Sequence, residues 1–99
     1  MNASTTTQQF LTFSDLSFVN RDNRNFSQAY VVFPNGYEVS VLIGEDGVYS
    51  NGIDTYEFAV RLKGKLVLIN EIGDEVIGYI KAEEVSRLMQ IVQQLPKQA

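Results

Sequence analysis

The chain has 99 residues, a formal net charge of −4, and neither cysteine nor histidine. This length fits one domain over residues 1–99, and the missing side chains exclude disulfides, thiol nucleophiles and zinc sites built from Cys or His. Clustered Lys and Arg drive non-specific nucleic-acid binding, so the acidic balance argues against a direct nucleic-acid partner.

The N-terminal segment, residues 1–9, is polar and carries no charged side chain, and we expect it to be flexible. It has neither the basic start nor the apolar run of a secretion signal. No stretch of the chain approaches the roughly 18 apolar residues that a membrane-spanning helix needs. We therefore expect a cytoplasmic protein with no membrane partner.

The first half of the chain predicts a short strand at Leu16–Val19 and then a β-hairpin. Two runs rich in β-branched and aromatic residues, Ala29–Phe33 and Tyr37–Ile43, flank Pro34-Asn35-Gly36. Asn-Gly tolerates positive φ at both positions, which predicts a tight hairpin turn. Apolar residues alternate with polar ones in the second run, so one face of this strand is predicted to point into the core.

The second half predicts another hairpin. Tyr56–Leu62 alternates again, and Lys63-Gly64-Lys65 turns the chain into a strand at Leu66–Ile69. After an acidic turn, Val76–Ile80 is interpreted either as a last short strand or as an extended lead-in to a helix.

The C-terminal helix is predicted to begin near Ala82 and to end before Pro96. Glu83 and Glu84 lie in its first turn, where the helix dipole favours negative charge. One apolar stripe runs along it, formed by Val85, Leu88, Met89, Val92 and Leu95. Together the elements predict an α+β fold, with a four- or five-stranded, mostly antiparallel sheet and one C-terminal helix packed on one face.

Three segments together resemble a family of small, mostly uncharacterised proteins of tailed bacteriophages. FPNGYEVSV at 33–41 is similar to the family's F-x-NGY-x-x-SV hairpin, YEFAVRL at 56–62 to its Y-E-x-AV strand, and DEVIGY at 74–79 to its D-x-V-I-GY turn. The resemblance implies a phage origin and a location in the cytoplasm of the bacterial host. It implies no defined activity, and it assigns no catalytic or binding role to any residue of this chain.

The acidic side chains of the second half could be catalytic or metal-binding groups, or simply solvated charges. The carboxylates between Glu71 and Glu84 could form an acid/base pair or hold Mg²⁺ or Ca²⁺, but a solvated turn and a dipole-complementing first helical turn account for them. We predict no catalytic residue, no cofactor and no metal site, and hence no enzyme. Residues 38–84 carry ten acidic and four basic side chains, a net charge of −6. That leaves mimicry of nucleic acid open as a minority interpretation.

The leading hypothesis is a non-catalytic phage accessory protein that binds a host protein, for example as an inhibitor of a CRISPR effector or another defence nuclease. A structural or assembly component of the virion is the alternative, and a small enzyme is the third. The loop at 44–55 is the candidate contact surface, because loops carry binding residues on a rigid scaffold. Its predicted partner-binding residues are Tyr49, Asn51 and Asp54. An edge strand could also pair two copies of the chain into a homodimer.

Overall fold

Residues 10–20, 25–45 and 48–98 are described by a computed structural model, and they form one sheet and one α-helix. Residues 1–9, for which flexibility is predicted, lie outside these ranges. A single turn of 3₁₀ helix at Phe13–Asp15 comes first. The strands and helix that follow are β1 (Phe26–Val32), β2 (Tyr37–Gly44), β3 (Tyr56–Leu62), β4 (Lys65–Leu66), β5 (Val76–Ile80) and α1 (Ala82–Gln93).

The sheet is antiparallel throughout, in the order β1-β2-β3. β4 and β5 both pair with the remaining edge of β3, each along a different part of that strand. The predicted α+β fold, with an antiparallel sheet and one C-terminal helix, is confirmed. Within the described ranges α1 is the one α-helix, and its 12 residues are too few to cross a membrane.

The core lies between α1 and one face of the sheet. Alternate residues of β1, β2 and β3 point to this face, as the period-two pattern predicts. The helical stripe covers them, and Leu95, just beyond the helix, packs at the margin. The buried members of the core are Ala29, Phe33, Val39, Val41, Phe58, Val60, Ile69, Val85, Leu88, Met89 and Val92.

The opposite face of the sheet has no helix over it. Ser40 and Ala59 at its centre are buried, whereas Tyr30, Val32 and Leu66 nearer its two edges are exposed. The fold therefore has two layers, and one face of the sheet remains largely open to solvent.

The predicted strand at Leu16–Val19 is wrong except for a single β-bridge, in which Val19 and Gln28 exchange both backbone hydrogen bonds at 2.9 Å. The segment before Val19 instead packs along the helix. Phe13 donates its backbone N–H to Ser86 Oγ at 2.9 Å, and its ring meets the Tyr56 ring at 4.8 Å between centroids. Burial of the aromatic side chain thus draws this segment away from the edge of the sheet.

The predicted strand at Leu66–Ile69 is also shorter in the structure, because β4 ends at Leu66. One further backbone hydrogen bond joins Val67 N to Val60 O at 3.1 Å, and the chain then turns so that Ile69 enters the core. The rest of the β3 edge is occupied by β5, which decides between the two interpretations of Val76–Ile80 in favour of a strand.

The turn between β1 and β2 differs from the predicted tight turn. Gly36 N donates to Phe33 O at 2.9 Å and Gly36 has φ +96°, whereas Asn35 is not among the described residues with positive φ. This is a type I turn followed by a glycine bulge, and Pro34 supplies the φ that its first central position needs. Asn35 keeps a negative φ while its side chain binds the end of α1.

We expect Gly36→Val to lower the free energy of unfolding by more than about 1 kcal/mol, because a β-branched residue is strained at positive φ. A Cβ at this position would lie 3.6 Å from the nearest atoms, so the cost comes from the backbone and not from a clash. Urea unfolding of Gly36→Val and Gly36→Asn tests this, since Asn tolerates positive φ better. Equal midpoints for both variants and the wild type would contradict the assigned turn.

Candidate functional site

The loop between β2 and β3 is organised by the side chain of Asn51. Its Oδ1 accepts hydrogen bonds from the backbone N–H groups of Ile53, Asp54 and Thr55 at 2.8, 3.0 and 3.0 Å. Its Nδ2 donates to Asp54 Oδ1 at 2.8 Å. Asn side chains commonly stabilise turns in this way. The polar atoms of Asn51 therefore serve the shape of the loop itself.

Buried Ser50 closes the base of the same loop. Its Oγ donates to Thr55 O at 2.7 Å and accepts from the backbone N–H groups of Gly52 and Gly44 at 2.9 and 3.3 Å. Thr55 Oγ1 in turn accepts from Asn51 N at 2.8 Å. These bonds give the described part of the loop, residues 48–55, one defined conformation.

An ion pair ties the loop to the start of the helix. Lys81 Nζ lies 2.7 Å from Asp54 Oδ2, with both side chains more than half exposed. The hydrogen bond from Asn51 and then the bond from Lys81 hold the pKa of the Asp54 carboxyl below its usual value. Asp54 correspondingly raises the pKa of Lys81. The charges of this exposed pair are available to solvent and to a partner.

Tyr49 is anchored through its backbone while its side chain remains 60 % exposed. Its N–H donates to Glu57 Oε1 at 3.0 Å, and its carbonyl accepts from Tyr79 N at 2.9 Å. Gly78 permits this approach, because a Cβ there would lie 2.4 Å from Tyr49 Cβ. The glycine in the VIGYI run thus makes room for the loop.

A β-bulge in β5 places a second tyrosine beside the first. Tyr56 pairs with Ile80 and Phe58 with Ile77, so Gly78 and Tyr79 together stand opposite the single residue Glu57. Tyr79 has φ +57° and is 60 % exposed. A non-glycine residue in this left-handed conformation costs about 1–2 kcal/mol.

The rings of Tyr49 and Tyr79 lie 6.4 Å apart between centroids, tilted by 56°. We refer to these two residues as the tyrosine pair. Ile53, 80 % exposed, lies in the same loop, next to the Asp54–Lys81 ion pair. The loop and the end of β5 therefore expose two neighbouring aromatic rings, one aliphatic side chain and one ion pair within residues 49–54 and 79–81.

The three sequence-predicted residues have different positions in this site. Tyr49 is at the surface and Asp54 is in an exposed ion pair, so both can reach a partner. Asn51 differs from these two, because its side chain is engaged in holding the loop. An alanine at this position would therefore alter the presentation of its neighbours. The partner-binding role of all three stays a prediction.

Sequence reasoning missed Tyr79, Gly78 and Ile53. A glycine inside a strand pattern signals a bulge or a close backbone approach, and Gly78 in VIGYI carried that signal. The contact between Tyr49 and Tyr79 has no local signature, because the two residues lie far apart in the sequence.

Metal ligands do not assemble in the part of the chain that the structure describes, where no three Asp or Glu side chains come together to hold an ion. The expectation of no metal, cofactor or catalytic residue for the whole chain stays a prediction.

The chain matches no protein-family model, no curated protein and no solved structure.

Proposed function

We propose that the protein is a non-catalytic binding protein whose contact surface is the tyrosine pair with the adjoining Ile53 and the Asp54–Lys81 ion pair. The observation that carries the proposal is Tyr79, which is both exposed and held at φ +57° beside exposed Tyr49. Strained backbone clusters at functional sites, where surrounding structure maintains a conformation that is needed for activity. The bond from Tyr79 N to Tyr49 O anchors the loop, but that bond requires no aromatic side chain at position 79, and the Tyr79 ring is 60 % exposed.

The physical properties of the tyrosine pair suit a protein partner. Tyrosine is enriched among the residues that dominate binding energy, since it buries a large surface and orders few torsions. The backbones of Tyr49 and Tyr79 are hydrogen-bonded to each other at 2.9 Å before any partner arrives. Such preorganisation reduces the entropy lost on binding.

We further propose that the partner is a protein of the bacterial host and that the chain acts in the host cytoplasm as a phage-encoded inhibitor of a CRISPR effector or another defence nuclease. Two features support this. The D-x-V-I-GY segment of the phage resemblance coincides with the bulge that presents Tyr79. Glu57, which accepts the backbone N–H of Tyr49, places a negative charge beside the tyrosine pair, and such a charge complements the basic surfaces of enzymes that bind nucleic acid.

The test compares Tyr49→Ala/Tyr79→Asn with a matched control, Leu68→Ala, which truncates a 56 % exposed side chain elsewhere. Tagged wild type expressed in infected cells identifies the host partner by quantitative mass spectrometry, and calorimetry with the purified pair measures Kd. We expect the double variant to weaken binding at least about 100-fold, since hot-spot tyrosines contribute about 2 kcal/mol or more each. The control should bind like the wild type, and only the double variant should fail to inhibit the partner's activity.

Thermal unfolding separates a binding role from a structural one. Asn tolerates the left-handed conformation better than Tyr, so Tyr79→Asn should unfold at or above the wild-type temperature. Undiminished affinity of the folded double variant would contradict the proposed surface. Absence of any host partner, together with stoichiometric protein in mature particles, would overturn the inhibitor proposal in favour of a virion component.

A further inference from the structure

Two asparagines of the chain are each followed by glycine, in Asn35-Gly36 and Asn51-Gly52. Asparagine is a thermolabile residue, and it loses its amide most readily before glycine, because glycine has no Cβ to hinder the approach of its backbone nitrogen to the asparagine side chain. The two dipeptides are identical in sequence. A difference in their reactivity therefore has to come from the fold.

The reaction needs water and no other reactant. The backbone nitrogen of the glycine gives up its proton and bonds to Cγ of the asparagine, the bond from Cγ to Nδ2 breaks, and ammonia leaves with the proton. Water then opens the cyclic imide at either carbonyl, which gives aspartate or its isoaspartyl isomer. Hydrogen bonds that hold the glycine N–H or the side-chain amide oppose the first step, because they have to be broken before it.

The hydrogen bonds that hold Asn51-Gly52 are local. Gly52 N donates to Ser50 Oγ at 2.9 Å, and in the described part of the chain the side chain of Asn51 bonds to residues 53–55. Residues 51–54 are all exposed and lie outside the strands and the helix. Exposed segments of this kind open at a small fraction of the free energy of global unfolding.

Asn35-Gly36 is held by tertiary structure. Asn35 Nδ2 donates to Val92 O and Leu95 O, at the end of α1, at 2.8 and 3.1 Å. Gly36 N donates to Phe33 O at 2.9 Å, and the Phe33 side chain is buried in the core. Freeing this dipeptide requires the hairpin to detach from the helix, which approaches global unfolding.

We infer that Asn51 is a site of spontaneous deamidation in the folded protein, and that the fold protects Asn35 from the same reaction. The exposed ion pair of Asp54 with Lys81 also ties the reactive segment to the start of the helix, but such pairs contribute little to stability. The local opening that exposes Asn51 leaves the sheet and the helix in place.

Deamidation changes the loop that contains Asn51. The product has no amide to donate to Asp54 Oδ1 and places a second carboxylate beside it, and the isoaspartyl form also lengthens the backbone. Residues 51–54 therefore lose part of the bonding that fixes their conformation. An effect of this change on partner binding rests on the proposed function, whereas the reaction at Asn51 does not.

Peptide mapping by mass spectrometry tests the assignment. The folded wild type and the chain unfolded in guanidinium chloride are incubated in mildly alkaline buffer, and cleavage after Glu38 and Glu45 then puts the two asparagines on different peptides. In the folded chain we expect Asn51 to deamidate at least about tenfold faster than Asn35, which corresponds to about 1.4 kcal/mol in the free energy of opening. The two rates should be similar in the unfolded chain. A ratio of rates no larger in the folded than in the unfolded chain would overturn the inference.

Two variants separate local from global opening. Thr55→Val removes the acceptor that holds Asn51 N at 2.8 Å and preserves the size of the side chain, so it should speed deamidation of Asn51 several-fold and leave Asn35 unchanged. Leu88→Ala should do the reverse, because truncating a buried core residue raises the population of the globally unfolded chain, from which Asn35 reacts. Equal acceleration of both asparagines in either variant would contradict the separate openings. Neither result alters the test of the tyrosine pair, which uses freshly prepared protein.

Discussion

Leu88→Ala is expected to lower the free energy of unfolding by about 2–5 kcal/mol. Leu88 is 1 % exposed and belongs to the helical stripe that covers the sheet. Truncation removes buried methyl groups and leaves a cavity that the neighbouring β-strands cannot fill by relaxing, because their positions are set by the ladder. The residues of α1 provide the cover over most of this face, so a cavity here affects the whole domain.

Thermal and urea unfolding measure this effect. A domain of this size loses about 4–8 °C of Tm per kcal/mol, so Leu88→Ala should melt at least about 8 °C below the wild type. Gln90→Ala is the matched control, because Gln90 is exposed on the same helix and alanine is a better helix former. A Tm for Leu88→Ala equal to that of the control would mean that α1 does not pack on the sheet as described.

Asn35→Ala is expected to cost about 2–3 kcal/mol. Asn35 Nδ2 donates to Val92 O and Leu95 O at 2.8 and 3.1 Å, and its Oδ1 accepts from Tyr37 N at 3.1 Å. These bonds join the β1–β2 turn to the end of α1, where carbonyls lack partners within the helix. Deleting the side chain removes the partners of Leu95 O and Tyr37 N, whereas Val92 O still accepts from Leu95 N at 3.2 Å. Each polar group left unsatisfied costs about 1–3 kcal/mol.

Asn35→Asp tests whether the hydrogen-bond donors of the Asn35 amide matter, because Asp has nearly the same size and shape as Asn but no amide donor. The near-isosteric carboxylate keeps an acceptor for Tyr37 N but has no donor for Val92 O and Leu95 O, and its charge opposes the negative end of the helix dipole. Its pKa should therefore be higher in the folded state than in the unfolded chain. The variant should be closest to the wild type below about pH 4 and lose stability relative to it as pH rises through the folded-state pKa. Parallel pH profiles for the variant and the wild type would contradict this.

The Asn35 contacts belong to a short segment, FPNGY at 33–37, that joins the hairpin to the helix. Each of its residues Phe33, Asn35, Gly36 and Tyr37 has a role in the fold. Phe33 is in the core, Asn35 binds the helix end, Gly36 completes the turn and Tyr37 packs against the core. The residues of this segment therefore stabilise the fold. The D-x-V-I-GY segment differs, because Gly78 and Tyr79 shape an exposed surface at some cost in backbone strain.

The sequence alone determined the features that depend on local periodicity. The alternation in Tyr37–Ile43 and Tyr56–Leu62, and the stripe through Val85 and Leu88, settled which faces are buried, because side chains repeat every two residues in a strand and every 3.6 in a helix. These patterns were enough to predict a sheet with one helix on one face. They were also enough to place the candidate loop and Tyr49 within it.

Tertiary structure decided the features in which distant segments compete for the same space. β4 ends early because β5 occupies the rest of the β3 edge, and Asn35 keeps a negative φ while its side chain binds carbonyls about 57–60 residues away. Tyr79 meets Tyr49 only because a bulge opposite Glu57 turns its N–H toward the loop. The two residues of each such contact lie too far apart to appear in one local window of sequence. The surface that we propose for binding therefore depends on the folded chain.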